Sequence, residues 1–193
     1  MEERLKIATH DSMSGEPSMW FSIPLIPFAR TQSKTIYQQW QAGCRMFDLR
    51  AKFVCGKWRG AHGLWYSKTG LEETLELLNT LSNPTSDPIE IALTYEGRSK
   101  SSEEFLIKAE VWKAKYTNLV WGVISAKYSD NSIKVNYDIL IPADKNAHGG
   151  IQSFLPLDGN HWQTFLPIPW LWKQFYFKNV EFNTKQFQFV DFL

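Results

Sequence analysis

The chain alternates between short apolar, β-prone runs and stretches with helical spacing, and polar groups recur where the apolar runs end. Leu5 to Ala8 is one such run, with His10 just beyond it. Cys44 to Leu49 reads as a buried strand, and Lys57 to Trp65 as a second extended segment ending near a histidine. Ile89 to Leu93, Leu119 to Ser125 and Ile133 to Ile141 predict further strands. Val180 to Asn183 and Gln186 to Phe192 predict two closing ones. Helical spacing places Ile36, Tyr37 and Trp40 on one side of a helix capped by Ser33 and stopped by Gly43. Leu71, Leu75 and Leu78 mark a second helix, opened by a capping box in Thr69-Gly70-Leu71-Glu72 and stopped at Asn83-Pro84. Ser101-Ser102-Glu103-Glu104 opens a third, running to about Lys115. Met13 to Thr31 carries Gly15, Pro17, Pro24 and Pro27 and is expected to be a loop with a short turn at Met19-Trp20. Strands alternating with helices predict an α/β chain of crossover units. Beyond Pro142 the period is lost, and residues 142–172 are expected to form a lid or an aromatic wall.

Composition narrows the picture in three places. At 193 residues with 44% hydrophobic content, residues 1–193 are most simply one domain. Lysine and arginine number 21 against 20 acidic residues, so no basic face for nucleic acid is expected. A single well-placed arginine would still serve an anionic substrate. The 9 tryptophans, 7 tyrosines and 13 phenylalanines point either to a ring-rich core or to an interfacial surface. Cys44 and Cys55 are too few for a disulfide framework and lack metal spacing, so free buried thiols are expected. His148 and His161 have no recognisable partners, and neither metal nor cofactor is expected. No apolar run of about 20 residues is present for a membrane span. With no leader-like segment before His10, a cytoplasmic or peripheral-membrane location is expected.

The candidate chemistry lies at the ends of the β-prone runs. His10-Asp11, Phe47-Asp48-Leu49-Arg50 and Ala61-His62-Gly63 supply two histidines, two carboxylates and a guanidinium. That set suits acid–base work on a phosphodiester. Asp48 and Arg50, two apart on a strand, share a side. Taken singly, His10 reads as an ordinary loop histidine and Asp48/Arg50 as a surface ion pair. The apolar Met46-Phe47 leading into that pair argues for a buried setting.

His10-Asp11-Ser12, Thr31-Gln32-Ser33, Gln41 to Arg50, His62-Gly63 and the terminal Val190-Asp191-Phe192 come in an order that resembles the X domain of phosphatidylinositol-specific phospholipase C. The resemblance runs over about residues 5–95 and returns at the end of the chain. It implies a compact, distorted TIM-type barrel with reduced outer helices, the site lying at the C-terminal mouth of the strands. It also implies His10 as general base supported by Asp191, and His62 as general acid supported by Asp11. Arg50 would hold the phosphate, and Asp48 would contact the reacting hydroxyl and Arg50. Calcium-dependent members carry Asn after the first histidine and acidic residues at the places of Asp48, Arg50 and Thr94. Arg50 would fill the cation's space, so the metal-free branch fits. That branch often has lysine at the place of Thr94, and Lys127 or Arg98 is the candidate substitute. Trp162, Trp170 and Trp172 are candidates for the rim of the mouth or for packing against the barrel.

The implied activity cleaves phosphatidylinositol or a related inositol lipid to diacylglycerol and cyclic inositol phosphate, with the inositol phospholipid as partner and peripheral contact with a membrane. A soluble glycerophosphoinositol substrate and an inactive phosphoinositide-binding module are the competing readings.

Overall fold

A computed structural model describes residues 6–9, 11–97, 102–126, 180–183 and 187–191. Its sheet is built on five parallel strands in the spatial order β8-β1-β2-β5-β6: β1 (Lys6–Thr9), β2 (Cys44–Val54), β5 (Ile89–Tyr95), β6 (Leu119–Ala126) and β8 (Phe187–Asp191). Strand β3 (Lys57–His62) extends it by antiparallel pairing with the far half of β2, and β4 (Trp65–Gly70) pairs antiparallel with β3. Strand β7 (Val180–Asn183) pairs antiparallel with β8. The sheet is mixed, and among the described residues it does not close.

Side-chain alternation explains which face is which. Phe47, Leu49 and Ala51 of β2, with Ile89, Ile91, Leu93 and Tyr95 of β5, are buried in one hydrophobic cluster. Asp48 and Arg50 therefore project to the opposite face. Helix α3 (Leu71–Leu81) buries Leu71, Leu75 and Leu78, and α4 (Ser102–Lys115) buries Phe105, Ala109 and Trp112 in the same cluster. Truncating a side chain such as Leu75 to alanine there costs about 2–5 kcal/mol. Trp58, Tyr95, Phe105 and Trp112 pack ring on ring at 5.1–6.1 Å, so part of the aromatic excess is core.

Several local expectations change. Lys57 to Trp65 is two strands of a hairpin rather than one segment, turning at Gly63 (φ 62°) and Leu64. A second tight turn at Cys55 (φ 51°) and Gly56 (φ 76°) joins β2 to β3. Cys44 is buried as expected, but Cys55 is exposed in that turn; both thiols are free. The cap of α2 (Ile36–Gln41) is Thr35, not Ser33: its side chain accepts from the Gln38 N–H, while the Gln38 amide accepts from the Thr35 N–H. At α3 the cap position is Gly70, whose N–H donates to Glu73 at 3.2 Å. Beyond Met13 the predicted loop contains 3-10 turns at Ser12–Gly15 and Trp20–Leu25 and one helical turn, α1 (Ile26–Ala29).

Buried polar side chains, not apolar spacing, hold that region. Ser14 Oγ accepts from the N–H groups of Thr31 and Gln32, both at 3.0 Å. Gln39 Nε2 donates to the carbonyls of Ser12 (2.8 Å) and Lys34 (2.7 Å). Residues 127–179 lie outside the described residues, and with them the strand expected at 133–141 and the lid or wall at 142–172.

Candidate active site

The carboxyl end of β1 and the middle of β2 meet the end of β3. Asp11, just past β1, adopts the left-handed conformation (φ 44°, ψ 53°), which aspartate tolerates better than most residues. That turn aims its N–H at Asp48 Oδ2, 3.1 Å away, and folds its carboxylate fully into the interior. Arg50, two residues along β2, donates its Nε to the same Asp48 oxygen at 3.1 Å. Its Nη1 lies 3.5 Å from Glu96 Oε1 at the end of β5. Burial alone would weaken the guanidinium's charge, but the carboxylates of Asp48, Asp11 and Glu96 outweigh it and push the pKa above its ordinary value. Arg50 is thus a permanent, partly shielded cation, 17% exposed, at the mouth of the parallel strands.

His62 closes β3. Its Nδ1 sits 2.8 Å from the Ala29 carbonyl oxygen and 3.2 Å from Asp11 Oδ2. Both partners are acceptors, so Nδ1 carries the hydrogen and Nε2 is the nitrogen left for proton exchange. With a side chain 25% exposed, that nitrogen can be reached from solvent. Glu96 has a second role in the geometry: its Oε2 accepts from the N–H of Gly63, the residue after His62, at 3.4 Å. Glu96 thereby ties the Arg50 guanidinium to the turn that carries the histidine.

The structure brings Asp11, Asp48, Arg50 and His62 together. Asp191 is the last residue of β8; Val190 pairs with Thr9, which puts the two strands' carboxyl ends side by side. His10, Lys127, Trp162, Arg98, His148, His161, Trp170 and Trp172 lie outside the described residues. Over 100 residues, 52% of this chain, the sequence is 32% identical to the 1-phosphatidylinositol phosphodiesterase of Listeria monocytogenes, of which it covers 31%. The solved phosphatidylinositol-specific phospholipase C from Listeria monocytogenes matches with TM-score 0.50 at 22% identity, over 68% of this chain and 56% of that one. The F249X mutant of the Staphylococcus aureus phospholipase C matches with TM-score 0.52 at 21% identity, over 74% and 55%. Over these spans the chain is similar to bacterial phosphatidylinositol-specific phospholipase C.

It spans about half the length of those solved phospholipase C structures. No family model matches it. At the position where metal-free phospholipases C were expected to carry lysine, Thr94 stands directly across from Arg50 on β5. Among the described residues no three His, Cys, Asp or Glu side chains form a group able to hold a metal ion. Glu96 is a site residue that the sequence reading did not single out. Its signal was periodicity, since it continues the even-numbered face of β5 that carries Thr94, one step past the strand's end. The Ala29 carbonyl had no signal at all, being backbone.

An exposed apolar edge lies next to this site. Trp20 is 79% exposed, Ile23 53% and Leu64 68%, with Phe21 beside them. Leu64 belongs to the turn directly after His62. The Trp20–Leu25 turn is held against β4 by hydrogen bonds from Met19 N and Ser22 Oγ to the Tyr66 carbonyl, at 2.9 and 3.0 Å. Among the described residues this aromatic edge is formed by the Trp20–Leu25 turn.

Proposed function

We propose that this chain carries the catalytic centre of a metal-independent phospholipase C that cleaves the phosphodiester of an inositol phospholipid. The inositol 2-hydroxyl attacks the adjacent phosphorus, forming the ring P–O bond and breaking the bond to the glycerol oxygen. His10, supported by Asp191, takes the hydroxyl proton. His62 gives the proton on Nε2 to the departing diacylglycerol oxygen. Arg50 matches the charge on the phosphoryl oxygens, and Asp48 orients Arg50 and the reacting hydroxyl. The intramolecular nucleophile supplies proximity, so no serine or cysteine is required. Each general acid or base contributes about 10²–10⁴ in rate.

One observation carries this reading: a histidine whose Nδ1 is held by the Ala29 carbonyl with the Asp11 carboxylate 3.2 Å away, so that Nε2 is presented for exchange, beside an arginine held charged by three carboxylates. The parallel strands also run in barrel order, with the last strand beside the first. That order supports closure of residues 1–193 into one distorted barrel. Exposed Trp20, Phe21, Ile23 and Leu64 support peripheral contact with the membrane holding the substrate. A further solved Staphylococcus aureus relative was studied for modulation of membrane binding.

The test is phosphatidylinositol cleavage in mixed micelles with excess EGTA, comparing the parent with H10A and H62A. Cyclic inositol phosphate that survives chelation and disappears in both variants is the expected result. A folded parent that binds phosphoinositide without turnover would make this a binding module, and turnover only with calcium would overturn the metal-free assignment.

A further inference from the structure

Helix α4 carries apolar side chains on both of its faces. Phe105, Ala109 and Trp112 enter the hydrophobic cluster. Ile107 and Val111 point the other way, 67% and 53% exposed and one turn apart. Exposed Glu103 and Glu104 precede them, and exposed Ala114 and Lys115 follow. A helix packed on one side only normally turns polar residues to water, and β-branched residues gain nothing at an exposed helical position. The acidic first turn and basic last turn suit the helix's own dipole. That explains the charges but not the two apolar residues between them.

The stripe is complementary to itself. At 3.6 residues per turn, Ile107 and Val111 lie about 20° to either side of one line along the helix, with Glu104 and Lys115 about 40° and 60° from it on the Val111 side. Along the axis, Glu104 lies about 7.5 Å before Ala109 and Lys115 about 9 Å after it. A second copy laid antiparallel across a twofold axis at Ala109 sets Ile107 against the partner's Val111, twice over. It also brings Glu104 level with the partner's Lys115 to within about 1.5 Å along the axis. Among the described residues Glu104 makes no ion pair in its own chain, and Lys115 Nζ donates to the Tyr116 hydroxyl at 3.2 Å. Lys108 and Glu110, which the axis would bring near their own counterparts, are already paired with Glu72 at 3.1 Å and with Lys113 at 3.6 Å. Beside Glu104, Lys108 and Lys115 runs a groove of about 570 Å³, and Phe53 on its wall, 52% exposed, adds apolar surface at the edge of the contact.

We infer that the outer face of α4 takes a second copy of this chain, antiparallel across a twofold axis at Ala109. The helix packs on the sheet face opposite Asp48 and Arg50, so both candidate sites stay open in the pair. Two 14-residue helices meet over about 21 Å, the small end of specific interfaces. Association is therefore reversible, with a Kd of about 10–100 μM.

The experiment is analytical ultracentrifugation of the whole chain at concentrations from well below to well above that range. The parent should pass from one chain to two. I107E/V111E should raise Kd at least about 100-fold, since it places carboxylates at the centre of the contact. E104K and K115E should each weaken the pair by about tenfold, because each sets like charges together at two places related by the axis. E104K/K115E exchanges the partners and should return to within about threefold of the parent. W20A/I23A, which alters the other exposed apolar edge, should leave Kd unchanged. Far-UV circular dichroism and the urea midpoint of each variant report its fold, and the charge exchange stands as a test by itself should I107E/V111E misfold. A parent that stays a single chain throughout overturns the inference and leaves α4 to a different partner. A dimer that survives I107E/V111E, or is lost in W20A/I23A, places the interface elsewhere and overturns it too. Single charge variants that weaken the dimer without recovery in E104K/K115E refute the antiparallel register.

Discussion

Arg50 is the point at which the electrostatics of the site can be tested most directly. Its guanidinium faces Asp48 at 3.1 Å and Glu96 at 3.5 Å, and Asp11 also acts on its charge. The Glu96 side chain is 3% exposed, that of Asp11 fully buried and that of Asp48 13% exposed, so solvent screens these carboxylates poorly. R50M would leave three shielded negative charges around an apolar side chain. Removing one partner of a buried ion pair costs about 3–5 kcal/mol, and the partial exposure of Asp48 and Arg50 places the expectation near the lower end. R50K keeps the charge but loses the planar fork, so it should restore most of the stability yet leave kcat/KM down by about 10²–10³. Because the Arg50 pKa is raised in the folded state, its contribution is fully present below the ordinary arginine value and is lost only as pH climbs through the folded one. The whole working range lies below that. Any pH dependence in R50M therefore comes from the carboxylates, and its deficit should shrink in acid as they are neutralised. Urea unfolding followed by tryptophan fluorescence at pH 7 and pH 4, with turnover on the folded variants, measures each part. R50M within about 1 kcal/mol of the parent at pH 7, or R50K with undiminished kcat/KM, would refute this account.

Three further outcomes follow from the packing. A Cβ at Gly60 would lie 2.6 Å from the Met13 Cβ and 3.0 Å from its Sδ, so G60A should cost about 1–3 kcal/mol and lower kcat, since Met13 lies two residues after Asp11; a parent-like Tm sinks that expectation. Burial pushes the Cys44 thiol up to about 11, whereas Cys55 is exposed, so a thiol reagent should titrate one cysteine in the native chain and the second only on unfolding. The Gly70 N–H, and then Lys57, hold the exposed Glu73 carboxyl below its ordinary value, which makes its stabilisation present above the unfolded pKa and lost as pH falls through the folded one. E73A should therefore cost no more than about 1 kcal/mol at pH 7, with the deficit shrinking as pH falls through the folded value in the same urea assay.

Legibility in the sequence followed the range of the interactions. Strands β2 and β5 and helix α3 were readable because burial on one face imposes a period on their own residues, and Asp48 and Arg50 inherited their shared side from that period. The segment from Ser12 to Lys34 was not readable as structure. Its order comes from Ser14, Gln39 and Glu16 reaching 17 to 53 residues along the chain, and a polar side chain with a distant partner looks the same in sequence as one facing water. The turn at Gly63 and Leu64 was missed for a related reason: one glycine between apolar residues does not separate a two-residue hairpin from a continuous strand. The approach of Asp11 to His62, 51 residues apart, came from family resemblance alone, because local spacing carries no such contact.

Asp11, Asp48 and Glu96 bring three carboxylates to Arg50 before any substrate arrives. Thr94 adds no positive charge where a lysine was expected. In the proposed reaction a phosphodiester would add a further negative charge, and among the described site residues Arg50 is the permanent cation that would face it. The carboxylates therefore do more than hold the arginine: their surplus charge limits how strongly the site can take an anion, and the buried Asp11, 3.2 Å from His62 Nδ1, carries that charge to the histidine.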